Sequence, residues 1–336
     1  MSKSRNGRRS SPLLLLILPS KTSATRLVLK RLKLSMHLAL LTALASTGLA
    51  GCALPGRLER MPFATVSKSC AEPEGWSAIA ARAPDFVVFG EFHGTQEAPR
   101  FLGSLACSLA RDRKRILIAI EFNFQDNEAL HSAWATDRAT FETRLLEAGA
   151  WGRQDGVASE AMYSMLANLH RLHAIGYPIE IAAINGAANP EQRAKYAHLP
   201  GQGPHEAIQA ENIASFARTG KFDHVLILVG NLHAQKNSRM LDGAVVDPMA
   251  KRLEHYSKVI SLDIKHGGGF AWGCRRSTSQ ELECSQFAVG QTSDLTRAPF
   301  ISLNDDINSE SASAAFDGSY WLGPITSSPP YRPSIK

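Results

Sequence analysis

From about residue 86 onward, short runs of β-branched and aliphatic residues alternate with longer stretches in which apolar residues recur every three or four positions. The runs at 86–90 (FVVFG), 116–121 (ILIAIE), 179–184 (IEIAAI), 225–230 (VLILVG) and 259–264 (VISLDI) predict five strands. Most are apolar at consecutive positions, as strands covered on both faces of a parallel sheet must be. Between them the periodicity predicts helices over 97–112, 126–147, 159–175, 204–218 and 247–256. This rhythm predicts an α/β fold of three layers, a mostly parallel central sheet covered by helices. No internal repeat interrupts it.

The polar residues that follow the strands carry the candidate chemistry, because open parallel sheets bind ligands at the carboxyl ends of their strands. The first run leads into Gly90-Glu91-Phe92-His93-Gly94-Thr95, the second ends on Glu121, and the fourth leads into Gly230-Asn231-Leu232-His233. Side by side, these strands bring His93, His233, Glu91 and Glu121 to one rim. Two imidazoles and a carboxylate are a competent donor set for a divalent metal, and Glu91 or Glu121 could then serve as general base toward bound water. Glu97, in the first turn of its helix, and Asn231, inside the second motif, are expected beside this set. His170 and His173 are spaced three apart on a helix whose apolar residues already explain it as amphipathic. His198, His205, His255 and His266 fall in loops or at helix ends without an evident partner.

The first fifty residues hold nine Lys or Arg and no Asp or Glu. A basic run (Lys30, Arg31, Lys33), an apolar core over 38–49 and small residues before Cys52 follow signal-peptide order. That core is too short to span a bilayer as a stable helix. Leu49-Ala50-Gly51-Cys52 is a lipobox pattern, so residues 1–51 are expected to be removed and Cys52 to carry the acyl chains of a membrane anchor. Residues 1–29 add a second apolar patch that such a signal does not need, and a translation start nearer Val28 is expected. Ala53 after the anchor favours an outer membrane, with the protein facing the periplasm of a bacterial envelope. Residues 52–70 read as a lipidated tether, 71–290 as the α/β domain, and 291–336 as a tail that folds back through Tyr320-Trp321-Leu322.

Cleavage changes the electrostatics. The whole chain carries a formal +6, but with nine of its 37 basic residues removed, 28 face 31 acidic ones, for a mature charge near −3. Charge therefore points to no nucleic-acid partner. About 285 mature residues, in a chain 44% apolar, suffice for one substantial core. Four cysteines remain after Cys52, an even number that favours disulfides in an oxidising compartment. Cys274 and Cys284, ten apart across a polar turn, are the expected pair, which leaves Cys70 with Cys107.

The two G-x-x-H motifs with a glutamate ending the second strand resemble the ChaN-like lipoproteins of the Tiki/TraB/erythromycin-esterase-like superfamily. The resemblance spans roughly 72–290 and includes Gln209-Ala210-Glu211-Asn212, where relatives often carry an arginine that is absent here, and Asp247-Pro248-Met249-Ala250. It implies one of two activities. Tiki-type members are regarded as metal-dependent proteases using both motif histidines and an acidic residue, which would make this chain a protease- or esterase-like hydrolase. ChaN is described as a haem-binding lipoprotein of iron uptake, which would need an axial ligand, with Tyr163, Tyr177 and Tyr196 as candidates. A non-catalytic binding module is the third reading. The ligand is accordingly a small molecule, a peptide or haem.

Overall fold

The computed structural model describes residues 70–241, 243–276, 281–294, 299–304 and 315–332. The lipobox, Cys52 and the signal segment lie outside them. Among the described residues no helix is long and apolar enough to cross a membrane.

In chain order the elements are α1 (Trp76–Ala81), β1 (Phe86–Glu91), α2 (Glu97–Arg111), β2 (Ile116–Asn123), α3 (Asn127–Trp134), α4 (Arg138–Leu145), α5 (Glu160–His173) and β3 (Ile179–Asn185). Then come α6 (Pro190–Tyr196), α7 (Gly203–Thr219), β4 (His224–Gly230), the short pair β5 (Arg239–Leu241) and β6 (Ala244–Val246), α8 (Met249–Leu253) and β7 (Val259–Lys265). The chain closes with a hairpin of β8 (Gly269–Arg276) and β9 (Leu282–Val289), followed by β10 (Phe300–Leu303) and β11 (Gly318–Trp321).

Seven strands form one sheet in the order β10-β11-β7-β1-β4-β2-β3. Every neighbouring pair is parallel except β10 with β11 at the edge. The fold is thus a mostly parallel, helix-covered α/β sheet, as the alternation of strand and helix patterns predicts. Alternate residues of each strand feed two separate cores. Val87, Phe89, Ile118, Ile120 and Leu228 face α2 to α5, whereas Val88, Leu117, Ala119, Ile227 and Val229 face α7 and α8. In α2 the buried Leu102, Leu105, Ala106 and Leu109 repeat every three or four residues, the stripe a helix needs to lie on a sheet.

The single helix predicted over 126–147 is two. Asp137 breaks it, because its Oδ1 accepts from the backbone N–H of Ala139 and Thr140, both at 3.0 Å, and so caps α4. The short α1 and α6, the β8–β9 hairpin and the edge strands β10 and β11 were not predicted. Residues 318–321 pair in parallel with β7, and the wholly buried Tyr320 donates its hydroxyl to the carbonyl of Gly90 at 2.5 Å. Both expected disulfides are present, Cys70–Cys107 and Cys274–Cys284. The second joins directly opposed residues of the β8–β9 hairpin.

Candidate functional site: a histidine–carboxylate cleft

β1, β4 and β2 are adjacent, so their carboxyl ends meet. Glu91 pairs with Gly230 in register, and the N–H of Asn231 donates to the carbonyl of Glu91 at 2.9 Å. On the far side, β2 slips by one residue against β3 between Ile120 and Asn123. A bulge of this kind re-aims a side chain at a sheet end, and here the two residues inside it are Glu121 and Phe122. Glu121 Oε2 accepts from the Gly230 N–H at 2.9 Å, which ties the carboxylate across the sheet.

His93 lies between two carboxylates, with Nδ1 at 2.9 Å from Glu91 Oε1 and Nε2 at 3.2 Å from Glu121 Oε2. Both ring nitrogens face carboxylate oxygens, an arrangement that favours the imidazolium form of His93. Burial alone would lower its pKa, but the charge and hydrogen bonding of Glu121 and Glu91 outweigh burial and raise it well above 6.5. Glu121 responds in the opposite direction: burial would raise it, and the His93 charge holds it far below the usual carboxylate range.

His233 is placed differently. Its Nδ1 lies 2.9 Å from both oxygens of Glu206 in α7, while Nε2 is 3.7 Å from Glu121 Oε1, beyond hydrogen-bond reach. Nδ1–H therefore donates to Glu206, and Nε2 presents its lone pair to the cleft. Burial lowers the His233 pKa, yet the Glu206 hydrogen bond and the Glu121 charge lift it above 6.5 overall. Glu206 is itself held by the Met249 N–H at 2.8 Å, and the Ala250 N–H donates to the His233 carbonyl at 2.9 Å. The Asp247-Pro248-Met249-Ala250 segment thus buttresses this pair. Gly230 sits at the centre, where a Cβ would lie 3.0 Å from His93 Nε2 and 3.6 Å from both Glu121 Oε2 and His233 Cδ2.

The four residues predicted to converge do so, with His93 held between Glu91 and Glu121 and His233 beside them. Glu91 and Glu121 both face His93 from opposite sides of its ring. Among the described residues no group of three or more His, Cys, Asp or Glu is disposed to hold a metal ion. Glu97 turns away from the cleft, its two oxygens accepting from the N–H and hydroxyl of Thr326 at 2.8 Å each. Asn231 donates to Asp263 at 2.9 Å and braces the ends of β4 and β7. Tyr163 stacks on Tyr331 at 3.8 Å, Tyr177 lies under Arg113, and Tyr196 meets Tyr256, so the three candidate haem ligands are engaged elsewhere.

Glu206 escaped the sequence reading, because an acidic residue in a first helical turn is already accounted for by the helix dipole. So did Arg153, which donates to the Glu121 carbonyl at 3.1 Å and pairs with Asp155 at 2.6 Å, walling the cleft beyond β2. Within Gln209-Ala210-Glu211-Asn212, Glu211 pairs with Lys195 at 2.7 Å, and Asn212 bolts α7 to the Ile184 and Gly186 carbonyls at 2.9 Å each.

No family model and no curated protein sequence matches the chain. Solved structures do. A Bacillus cereus protein aligns with a TM-score of 0.54 at 9% identity, covering 81% of this chain and 100% of its own. Erythromycin esterase EreC aligns with a TM-score of 0.53 at 13% identity, covering 74% and 93%. What they share with this chain is the fold. ChaN of Campylobacter jejuni, described as binding haem cofacially, aligns at a TM-score of only 0.35 and 10% identity over 64% of this chain and 92% of its own, too little to argue from.

Proposed function

We propose that the protein is a metal-independent hydrolase of the esterase type, working by acid–base chemistry at His233 on the surface of a bacterial envelope. The observation that carries this reading is the His233–Glu206 pair, which leaves Nε2 as the basic atom facing the cleft. Nε2 takes a proton from a water molecule, the resulting hydroxide adds to the carbonyl carbon, and the tetrahedral adduct expels an alkoxide that recovers the proton from Nε2. Glu206 fixes the tautomer and, with Glu121, stabilises the imidazolium that forms, as the acid of a catalytic triad does. The His93 imidazolium, locked by Glu91 and Glu121, places a fixed positive charge beside the developing oxyanion. Glu121 is too weakly basic in this setting to take the water's proton itself, so the base role expected for it passes to His233. The fold shared with EreC, an esterase by name, supports the reaction class.

The lipobox at Cys52 supports export and anchoring, and the two disulfides suit an oxidising compartment. The test is hydrolysis of p-nitrophenyl acetate by the full chain in detergent. His233→Asn is expected to lower kcat by ~100-fold or more, and exhaustive chelation is expected to leave wild-type activity intact. Activity lost on chelation and restored by zinc would overturn the metal-independent scheme.

A further inference from the structure

α7 carries a second histidine into the cleft that the hydrolytic scheme leaves unused. His205 precedes Glu206, and its ring centre is 5.3 Å from that of His233 at an angle of 49°. One turn on, the wholly buried Gln209 places Nε2 at 3.0 Å from His205 Nε2. Burial first, and then the neighbouring His233, hold the His205 pKa below 6.5, so near pH 7 the ring is neutral and has one hydrogen. Glu206, Glu121 and Arg153 are the other charged groups that act on it.

Gln209 decides where that hydrogen sits. With its N–H donating to Nε2, the ring hydrogen is on Nδ1, at the cost of leaving the buried Gln209 Oε1 without a partner. Turning the amide over would instead strand both of its N–H groups in the same enclosed place. His205 Nδ1 has no partner among the described residues and is not among the enclosed unpartnered atoms, so it opens to solvent, as His233 Nε2 does. The cleft is thus offered an acceptor on one ring and a donor on the next.

We propose that His205 Nδ1–H binds the carbonyl oxygen of the substrate while His233 activates water, with Gln209 as the positioning residue that fixes the His205 tautomer. The inference rests on the hydrolytic reading and narrows its substrate class. A neutral donor among the carboxylates of Glu91, Glu121 and Glu206 suits an uncharged carboxylic ester and disfavours an anionic phosphoester.

The experiment measures p-nitrophenyl acetate and p-nitrophenyl phosphate hydrolysis by the full chain, alongside ¹⁵N NMR of the imidazoles. His205→Phe, which keeps the ring shape without a donor, is expected to lower kcat on the acetate by about 10- to 100-fold, and His205→Asn to recover part of it. Gln209→Glu is expected to draw the hydrogen to Nε2, lowering kcat and adding an ionisation to the pH profile that disappears in the Gln209→Glu/His205→Phe double variant. Wild-type NMR should place the His205 hydrogen on Nδ1. Melting curves separate these effects from misfolding, and His205→Leu, which also lacks a donor, serves if the phenylalanine variant does not fold. Ester hydrolysis abolished by His233→Asn but within twofold of wild type in His205→Phe or, failing that, His205→Leu overturns this inference alone, as does a hydrogen on Nε2. Phosphate ester cleaved in preference to acetate overturns the substrate class. No ester hydrolysis by the wild type overturns both readings.

Discussion

His93 and His233 close the same G-x-x-H pattern, yet their neighbours give them different proton states. His93 has carboxylates on both nitrogens, whereas His233 has one on Nδ1 and open space at Nε2. The sign of the pH dependence follows. A base must be neutral to act, and the His233 pKa is raised, so kcat/KM is expected to climb with pH through a limb above 6.5. The charge at His93 is lost only at a pH higher again, because its pKa is raised well above 6.5, and the profile should fall on that side. In Glu206→Gln the principal interaction raising His233 is removed. The acid limb should move to lower pH and kcat should drop by about 10- to 100-fold, since the tautomer is no longer fixed. An acid limb that stays in place in this variant would mean that the limb belongs to another group.

At the level of elements, the site is a consequence of strand ends that stop in the right places. Gly230 ends β4 with no side chain, and its empty Cβ position is what lets His93, Glu121 and His233 crowd together. Gly230→Ala would press on side-chain atoms, which can move, so a modest destabilisation of ~1–3 kcal/mol with a far larger loss of activity is expected. Gly94→Ala is a different case. Gly94 has φ +70°, and a Cβ there would fall 2.2 Å from the backbone carbonyl oxygen of Trp272, so the β8 strand itself must shift. Melting temperatures of the two variants should show Gly94→Ala as the more damaging to the fold, and p-nitrophenyl acetate assays should show Gly230→Ala as inactive though folded. The five central strands are legible in the sequence because doubly buried strands have few polar positions, and the two histidines because Gly-containing polar motifs mark the ends of β1 and β4. The edge strands β10 and β11 are not, being four residues each and set within Ser- and Asp-rich sequence. Glu206 is equally hidden, since its partner is 27 residues away and its own position has a local explanation.

At the scale of the whole molecule, two disulfides tie these elements together. Cys70–Cys107 clamps the start of the described chain to α2 across 37 residues, and Cys274–Cys284 closes ten residues of the hairpin whose Trp272 N–H donates to the Gly94 carbonyl at 2.9 Å. Loop-closure entropy assigns the first about 4 kcal/mol and the second about 3 kcal/mol. Reduction should lower the melting temperature, and Cys70→Ser/Cys107→Ser should cost more stability than Cys274→Ser/Cys284→Ser. The hairpin pair should cost more activity, because its hairpin holds the residue next to His93. Both bridges suit the oxidising compartment that the proposed export would reach, and the proposed lipobox makes a demand of its own. The proposed acylation at Cys52 would place two or more chains in the bilayer, enough for stable anchoring, whereas one chain would bind only weakly. Expressed in a bacterial host, the full chain should therefore sediment with membranes and incorporate labelled palmitate. Cys52→Ser should abolish the label and leave the protein either uncleaved or released, with both disulfides intact and esterase activity unchanged, because nothing in the cleft depends on the anchor. Label persisting in Cys52→Ser would place the lipid on another residue. An unlabelled wild type found in the soluble cytoplasmic fraction would overturn export, and with it the physical reason for the paired cysteines.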